Sequence, residues 1–150
     1  MHVITGATGN TGSVVAKRLL AEGRKVRVIG RNAERLQPLV AAGAEPLVAE
    51  VGDAGALSKA FSSAEAVYVM IPPHMASIDP LADRERVSDA YVTALKQAGV
   101  KYAVTLSSIG ADKADKTGPV VGLRQLEEKL NAIAGLNVLH CASATSWRTL

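Results

Sequence analysis

A doubly wound α/β fold, a parallel sheet with helices on both faces, follows from three features of this 150-residue sequence. Short β-branched runs alternate with stretches whose apolar residues recur at helical spacing. Glycine or proline punctuates most junctions. The composition is 48% hydrophobic but only 3% aromatic, so the core is built from Val, Leu, Ile and Ala, which suits strands buried on both faces. Strict alternation with short links implies right-handed crossovers and a parallel sheet.

The elements follow in order. His2-Val3-Ile4-Thr5 is a first strand that breaks at Gly6. A helix from Gly12 to Glu22 carries Val15, Leu19 and Leu20 on one face and stops at Gly23. Lys25 to Ile29 is a second strand. Ala33 to Ala42 is a second helix, with Asn32 as N-cap and Gly43 as stop, and Pro38 inside it is expected to kink or split it. Pro46 to Val51 is a strand, Ala54 to Phe61 a short helix, and Ala64 to Ile71 a strongly apolar strand. Pro80 to Ala98 is a long helix with Val87, Tyr91, Ala94 and Ala98 on one face and Gly99 as its stop. Lys101 to Ser107 is a fifth strand. Leu123, Leu126, Leu130 and Ile133 mark a last helix, closed by Gly135, and Asn137 to His140 begins a sixth strand.

Charge and cysteine content exclude several classes. The net charge of +3 is spread along the chain. Its densest group, Lys113-Ala114-Asp115-Lys116, is interleaved with acids and reads as a solvated loop. No basic face with a reading element points to nucleic acid. Cys141 is the single cysteine, which excludes an intrachain disulfide and a cysteine-based zinc cage. His2, His74 and His140 show no metal-ligand spacing. No apolar run approaches the roughly 20 residues that span a bilayer. A strand beginning at His2 leaves no room for a signal peptide, so a cytoplasmic protein is expected.

The most informative segment is Gly6-Ala7-Thr8-Gly9-Asn10-Thr11-Gly12 between the first strand and the first helix. Its glycines follow G-x-x-G-x-x-G, one residue longer than the dinucleotide fingerprint of Rossmann-type folds, and the logic is shared. Gly6 permits the sharp turn, Gly9 lets backbone approach a pyrophosphate, and Gly12 lets the helix pack on the sheet. The helix N-terminus offers unpaired N–H groups to phosphate, and Thr8, Asn10 and Thr11 add side-chain donors. Glycine turns also join strands to helices for structural reasons alone, but the setting after a strand and before a helix favours cofactor binding.

NAD sites place an acid at the end of the second strand, whereas NADP sites favour an arginine. Here that strand ends Val28-Ile29-Gly30-Arg31-Asn32, with no acid. Arg31 is placed to face a 2′-phosphate, Asn32 adds a donor, and Arg35 lies one helical turn on. NADP(H) is therefore expected over NAD(H), against the bland reading of Arg31 as a solvated residue. Asp53 ends the third strand near the expected adenine position and also caps the helix at Ala54. Ile71-Pro72-Pro73 ends the fourth strand at the topological switch point. Ser107 ends the fifth, where a hydroxyl would approach a nicotinamide.

Together these residues resemble the NmrA-like branch of the atypical short-chain dehydrogenases. The resemblance rests on Gly6 to Gly12, Gly30-Arg31-Asn32, Ile71-Pro72-Pro73, Leu106-Ser107-Ser108-Ile109-Gly110 and Thr117 to Leu123 with Glu127. It implies NAD(P)(H) binding with either oxidoreductase activity on a small molecule or redox sensing through a protein partner without turnover. The larger family's Tyr-x-x-x-Lys pair is absent: Pro72, Leu95 and Leu106 stand four residues after Tyr68, Tyr91 and Tyr102. No residue is assigned as catalytic; Arg124 in the last helix lies near the place of a basic active-site residue, but the reading of a solvent-facing arginine is preferred.

The resemblance covers residues 1–140, the expected NAD(P)-binding domain. The family continues its sixth strand into a Phe-Met-Glu-Asn segment and a small substrate domain. Residues 141–150 instead form an atypical tail without helical or strand period. Moved back one base from His140, the codons permitted for this tail allow Leu-Arg-Gln-x-Tyr-Phe-Met-Glu-Asn-Leu. The expectation is a frameshift that removed the substrate domain, leaving the sixth strand weakly anchored and the cleft without its roof. A truncated remnant that folds but does little is the third reading.

Overall fold

The computed structural model describes residues 1–71, 78–108 and 120–143. Six parallel strands form one sheet in the order β3-β2-β1-β4-β5-β6. The strands are β1 His2–Ile4, β2 Val26–Gly30, β3 Glu45–Val48, β4 Ala66–Val69, β5 Tyr102–Ser108 and β6 Asn137–Ser143. Between them run α1 Asn10–Ala21, α2 Ala33–Ala41, α3 Ala54–Phe61, α4 Pro80–Ala98 and α5 Val120–Asn131. The chain reverses its direction across the sheet between β1 and β4, which pair in the register His2↔Ala66 to Ile4↔Tyr68. This is the doubly wound Rossmann order, whose ligand crevice opens at that reversal.

Two cores flank the sheet. On one face α1 and α2 bury Ala16, Leu36 and Leu39 against Ile4, Val26 and Val28. On the other, α3, α4 and α5 bury Leu57, Phe61, Tyr91, Leu95, Leu126 and Leu130 against Val3, Ile29, Val67 and Val69. Phe61 and Tyr91 stack with ring centroids 6.5 Å apart. Arg27, inside β2, anchors the far edge: its guanidinium bonds Glu45 on β3 at 2.9 Å and the Ala60 carbonyl of α3 at 2.6 Å.

Several expectations are corrected. Pro38 lies within a single α2 rather than dividing it. The one amide it removes would have served the carbonyl of exposed Glu34, which water can satisfy. Helix α1 starts at Asn10, two residues before the expected Gly12, because Gly9 adopts the extended N-cap conformation. The sixth strand does not fade at His140. It runs through Cys141 to Ser143, paired with β5 up to Ser108↔Ser143. His140 fastens it, with Nδ1 2.7 Å from Thr105 Oγ1 and Nε2 3.0 Å from Asn131 Oδ1. Among the described residues no helix is long and apolar enough to cross a membrane, and no cluster of His, Cys, Asp and Glu is arranged to hold a metal ion.

Candidate functional site

The carboxyl ends of β1, β2, β3 and β4 open into one cleft of about 240 Å³. Gly6, Thr8 and Gly9 of the β1–α1 loop form its inner wall. Gly30 and Arg31 enter from the end of β2 and Arg35 from α2, while Ala49, Glu50, Val51 and Gly52 follow β3. Met70 closes the floor beside β4, and Arg86 and Val87 of α4 form the far wall.

The loop takes its shape from backbone that side chains would obstruct. Gly6 has φ +59°, a left-handed conformation, and its missing side chain is replaced by the thioether of Met70. A β-carbon on Gly12 would run into the Gly6 carbonyl and come 3.1 Å from the Ala7 α-carbon. The loop closes on itself through the Gly9 amide, which donates to the Gly6 carbonyl at 3.0 Å, and on β2 through the Ala7 amide, which donates to the Ile29 carbonyl at 3.2 Å.

Below the loop lies a buried polar knot. The Tyr91 hydroxyl donates to the Met70 carbonyl at 2.6 Å and lies 3.2 Å from Thr5 Oγ1. Thr5 in turn donates to the Tyr68 carbonyl at 2.8 Å and accepts from the Met70 amide at 3.2 Å. Burial pushes the Tyr91 pKa well above the ordinary phenol value, partly offset by its bonds to Thr5 and Met70. Tyr68 is raised in the same way, also by burial first. The knot fixes Met70, and Met70 fits only beneath a glycine at position 6.

Helix α1 begins at Gly9 with no side-chain cap. The Ser13 amide bonds the Gly9 carbonyl, while the amides of Asn10, Thr11 and Gly12 donate to no described residue. Gly9, the N-cap, lines the cleft, so the positive end of the helix dipole stands at its edge.

The sequence-predicted residues divide into two groups. Gly6, Thr8, Gly9 and Arg31 meet in the cleft. Ala7 is fully buried with its amide committed to β2, and Gly12 is a packing residue. Thr11 does not offer its hydroxyl to the cleft. It accepts from the Tyr68 hydroxyl at 3.2 Å and lines a separate hollow. Asn32 and Asp53 sit beside the cleft as caps, Asn32 Oδ1 accepting from the Glu34 and Arg35 amides and Asp53 Oδ1 from the Ala56 amide. Ile71 packs at the edge of the α3–α5 core. Pro72, Pro73 and residues 117–119 lie outside the described residues; for Val120, Val121 and Gly122, at the start of α5, and for Ser107, in β5, only the backbone is described.

Sequence reasoning missed Arg86, Glu50 and Met70 as cleft residues. Arg86 and Glu50 come from elements distant in sequence, and only the register of α3 and α4 against the sheet brings them together.

A larger hollow of about 410 Å³ lies between α1 and the sheet, lined by Val15, Leu19, Tyr68, Val104, Leu106 and Cys141 among others. It is almost wholly apolar; His2 and Thr11 are polar residues of its lining, the Thr11 hydroxyl is engaged by Tyr68, and no glycine turn or arginine enters it. The glycine cleft is therefore the functional candidate.

A glycine turn at the reversal of a doubly wound sheet, an uncapped helix start and a cationic wall at the next strand are the features of a dinucleotide-binding domain. Comparison with known proteins agrees: the chain belongs to the NAD(P)H-binding family, whose model matches residues 6–141. It is 28% identical over 111 residues to the NAD(P)H azoreductase of Xenophilus azovorans, spanning 74% of this chain and 36% of that protein. Its fold matches the NADPH-dependent quinone oxidoreductase of Escherichia coli complexed with NADPH, with a TM-score of 0.80, 25% identity, and coverage of 95% of this chain and 48% of that one. The triphenylmethane reductase of Citrobacter sp. complexed with NADP(H) matches equally in fold, with a TM-score of 0.80, 20% identity, and coverage of 95% and 49%. The chain thus spans 36% of its curated relative and about half of these solved structures.

Proposed function

We propose that the cleft binds NADP(H) in preference to NAD(H), and that the chain is the nucleotide-binding part of an NmrA-like reductase acting on a small conjugated acceptor. The observation that carries the cofactor reading is that Arg31 and Arg35 stand in the same cleft as the glycine loop, while β2 ends without an acid. Gly6, Gly9 and the open amides of α1 would hold the pyrophosphate. Arg31, with Arg35 beside it, would take the 2′-phosphate through charge-assisted hydrogen bonds. Asp53 caps α3 and orders the β3 end against which the base lies. When bound, the nicotinamide supplies the hydride that a reductase delivers.

The acceptor class rests on the relatives, whose names describe reduction of azo compounds, quinones and triphenylmethanes. A sensing role without turnover is the second reading, and the tyrosines favour it. Tyr91 is buried with its hydroxyl held by Met70. The Tyr68 hydroxyl is turned to Thr11, at the hollow beside α1. Tyr102 starts β5, at the end of the sheet away from the cleft. None of the three is placed as an acid for a substrate in this cleft.

Calorimetric titration with NADPH and NADH tests the cofactor reading. NADPH is expected to bind about tenfold or more tightly than NADH, and Arg31→Ala to erase that difference by weakening NADPH alone. Equal affinities in the unmodified chain would overturn it. Consumption of NADPH with a quinone or azo dye would then separate the reductase from the sensor.

A further inference from the structure

Arg86 stands on α4, across the cleft from Arg31 and Arg35. Its guanidinium lies over the α-carbon of Gly52, so close that a β-carbon there would overlap Nη1 and come 2.9 Å from Cζ. The side chain is exposed and takes no hydrogen bond or ion pair from the described residues, although Glu50 lines the same cleft. Beside it the wall is apolar: Val87 is buried and Val51 half-buried. A guanidinium packed over bare backbone next to aliphatic side chains presents a planar, weakly hydrated cation, the kind of group that stacks on a flat π system.

Position in the sheet says which part of a dinucleotide it would meet. The phosphate loop follows β1, Arg31 follows β2 and Gly52 follows β3, and these strands are neighbours in that order. Each step across the sheet is about 4.8 Å, so Gly52 and Arg86 lie roughly 10 Å from the pyrophosphate position. Along an adenosine phosphate the groups run from phosphate through ribose to base. The third strand is where the base arrives.

We infer that Arg86 is an adenine-binding residue, its guanidinium forming one face of the base slot, and that Gly52 is glycine to make room for it. This rests on the reading that the cleft holds the adenosine half of a nicotinamide dinucleotide. It assigns Arg86 a role distinct from that of Arg31: affinity for NADPH and NADH alike, with no part in choosing between them.

Calorimetric titration of the unmodified chain, Arg86→Ala, Arg86→Lys and Gly52→Ala with each nucleotide tests this. Arg86→Ala is expected to weaken NADPH and NADH by the same factor, about tenfold. Arg86→Lys, which keeps the charge and loses the plane, recovers little of it. Gly52→Ala, at a backbone conformation any residue adopts, displaces the guanidinium and reproduces the loss with an unchanged melting temperature. Weakening confined to NADPH would make Arg86 a third phosphate ligand and overturn the inference. Unchanged affinities in Arg86→Ala would overturn it while leaving the cofactor reading intact. Failure of the unmodified chain to bind either nucleotide would overturn both.

Discussion

Helix α1 and helices α2, α3 and α4 all begin at the carboxyl end of a strand, yet their first turns are built in opposite ways. Asn32, Asp53 and Asp79 each cap their helix by accepting a hydrogen bond from an amide of its first turn. Gly9 gives α1 nothing. A side-chain cap is worth about 1 kcal/mol over alanine but only a few tenths over glycine, so Gly9 leaves the first-turn amides of α1 open at little cost in stability. This is also the junction where Gly6 is in a left-handed conformation and Gly12 lies on the Gly6 carbonyl. A helix start that forgoes its cap keeps its donors for something else. In a cleft walled by Arg31, Arg35 and Arg86, open amides at a helix start are suited to an anion.

The strongest test of this contrast removes the turn itself. Gly6→Ala puts a β-carbon where Met70 Sδ now sits and forces φ +59° on a residue that resists it. Left-handed backbone and overpacking together are expected to cost about 2–4 kcal/mol, read as a fall in the urea midpoint at unchanged m-value. A loss below about 0.5 kcal/mol would mean that Met70 simply moves aside and that the loop is less constrained than its contacts indicate.

A second test gives α1 the cap it lacks. Gly9→Asp offers a carboxylate to the open amides at the site proposed for the pyrophosphate. Stability of the free chain is expected to stay within about 1 kcal/mol of the original. NADPH affinity is expected to fall about a hundredfold, through lost donors and like-charge repulsion. An affinity within about twofold of the original would break the comparison, since the bare helix start would then have no ligand to serve.

How much of this was legible in the sequence depends on the range of the interactions. Helices α3 and α4 run residue for residue as expected, Ala54–Phe61 and Pro80–Ala98, because caps, prolines and glycine stops are local signals. The ends of β3 and β4 were placed too generously, since apolar residues such as Val51 and Ile71 continue past the last ladder bond to pack on helices. Pro38 does not split α2, for a related reason: the sequence reveals a missing donor but not that the residue whose carbonyl it would serve, Glu34, is exposed. Within the site, Gly6, Gly9 and Arg31 were legible because a contiguous motif carries them. Arg86 was not, since nothing near it in sequence shows that α4 lays it over Gly52. Thr11 looked like a phosphate donor until the turn of α1 carried its hydroxyl to Tyr68.

The floor of the loop gives a smaller effect with a pH signature. Tyr91→Phe removes the hydroxyl that bonds the Met70 carbonyl and is expected to cost about 1–2 kcal/mol at neutral pH. Because the folded pKa of Tyr91 lies above the ordinary value of 10.0, its protonated form is the one that folding favours. Its contribution is therefore complete below pH 10 and erodes as pH rises past it, by about 1.4 kcal/mol per unit. Urea midpoints measured from pH 8 to 11 should show that alkaline decline in the original chain and a shallower one in Tyr91→Phe, with Tyr68 supplying the remainder. Identical slopes would remove Tyr91 as the cause.

The smallest effect lies at a capped junction and separates capping from recognition. Asn32 Oδ1 accepts from the Glu34 amide at 2.9 Å and the Arg35 amide at 3.4 Å, so Asn32→Ala is expected to lower stability by about 1 kcal/mol. Asn32→Asp keeps that acceptor and adds a charge suited to the helix dipole, so stability should hold within a few tenths of a kcal/mol, roughly the scatter among good caps. The same carboxylate stands next to Arg31, at the end of β2 where an acid would accept from a ribose hydroxyl and repel a 2′-phosphate. Asn32→Asp is therefore expected to move cofactor preference toward NADH while Asn32→Ala leaves preference unchanged, both read by calorimetric titration. If the two variants shift preference equally, Asn32 acts through its own contact with the nucleotide. A junction that caps its helix would then take part in recognition as well, as the open start of α1 is proposed to do.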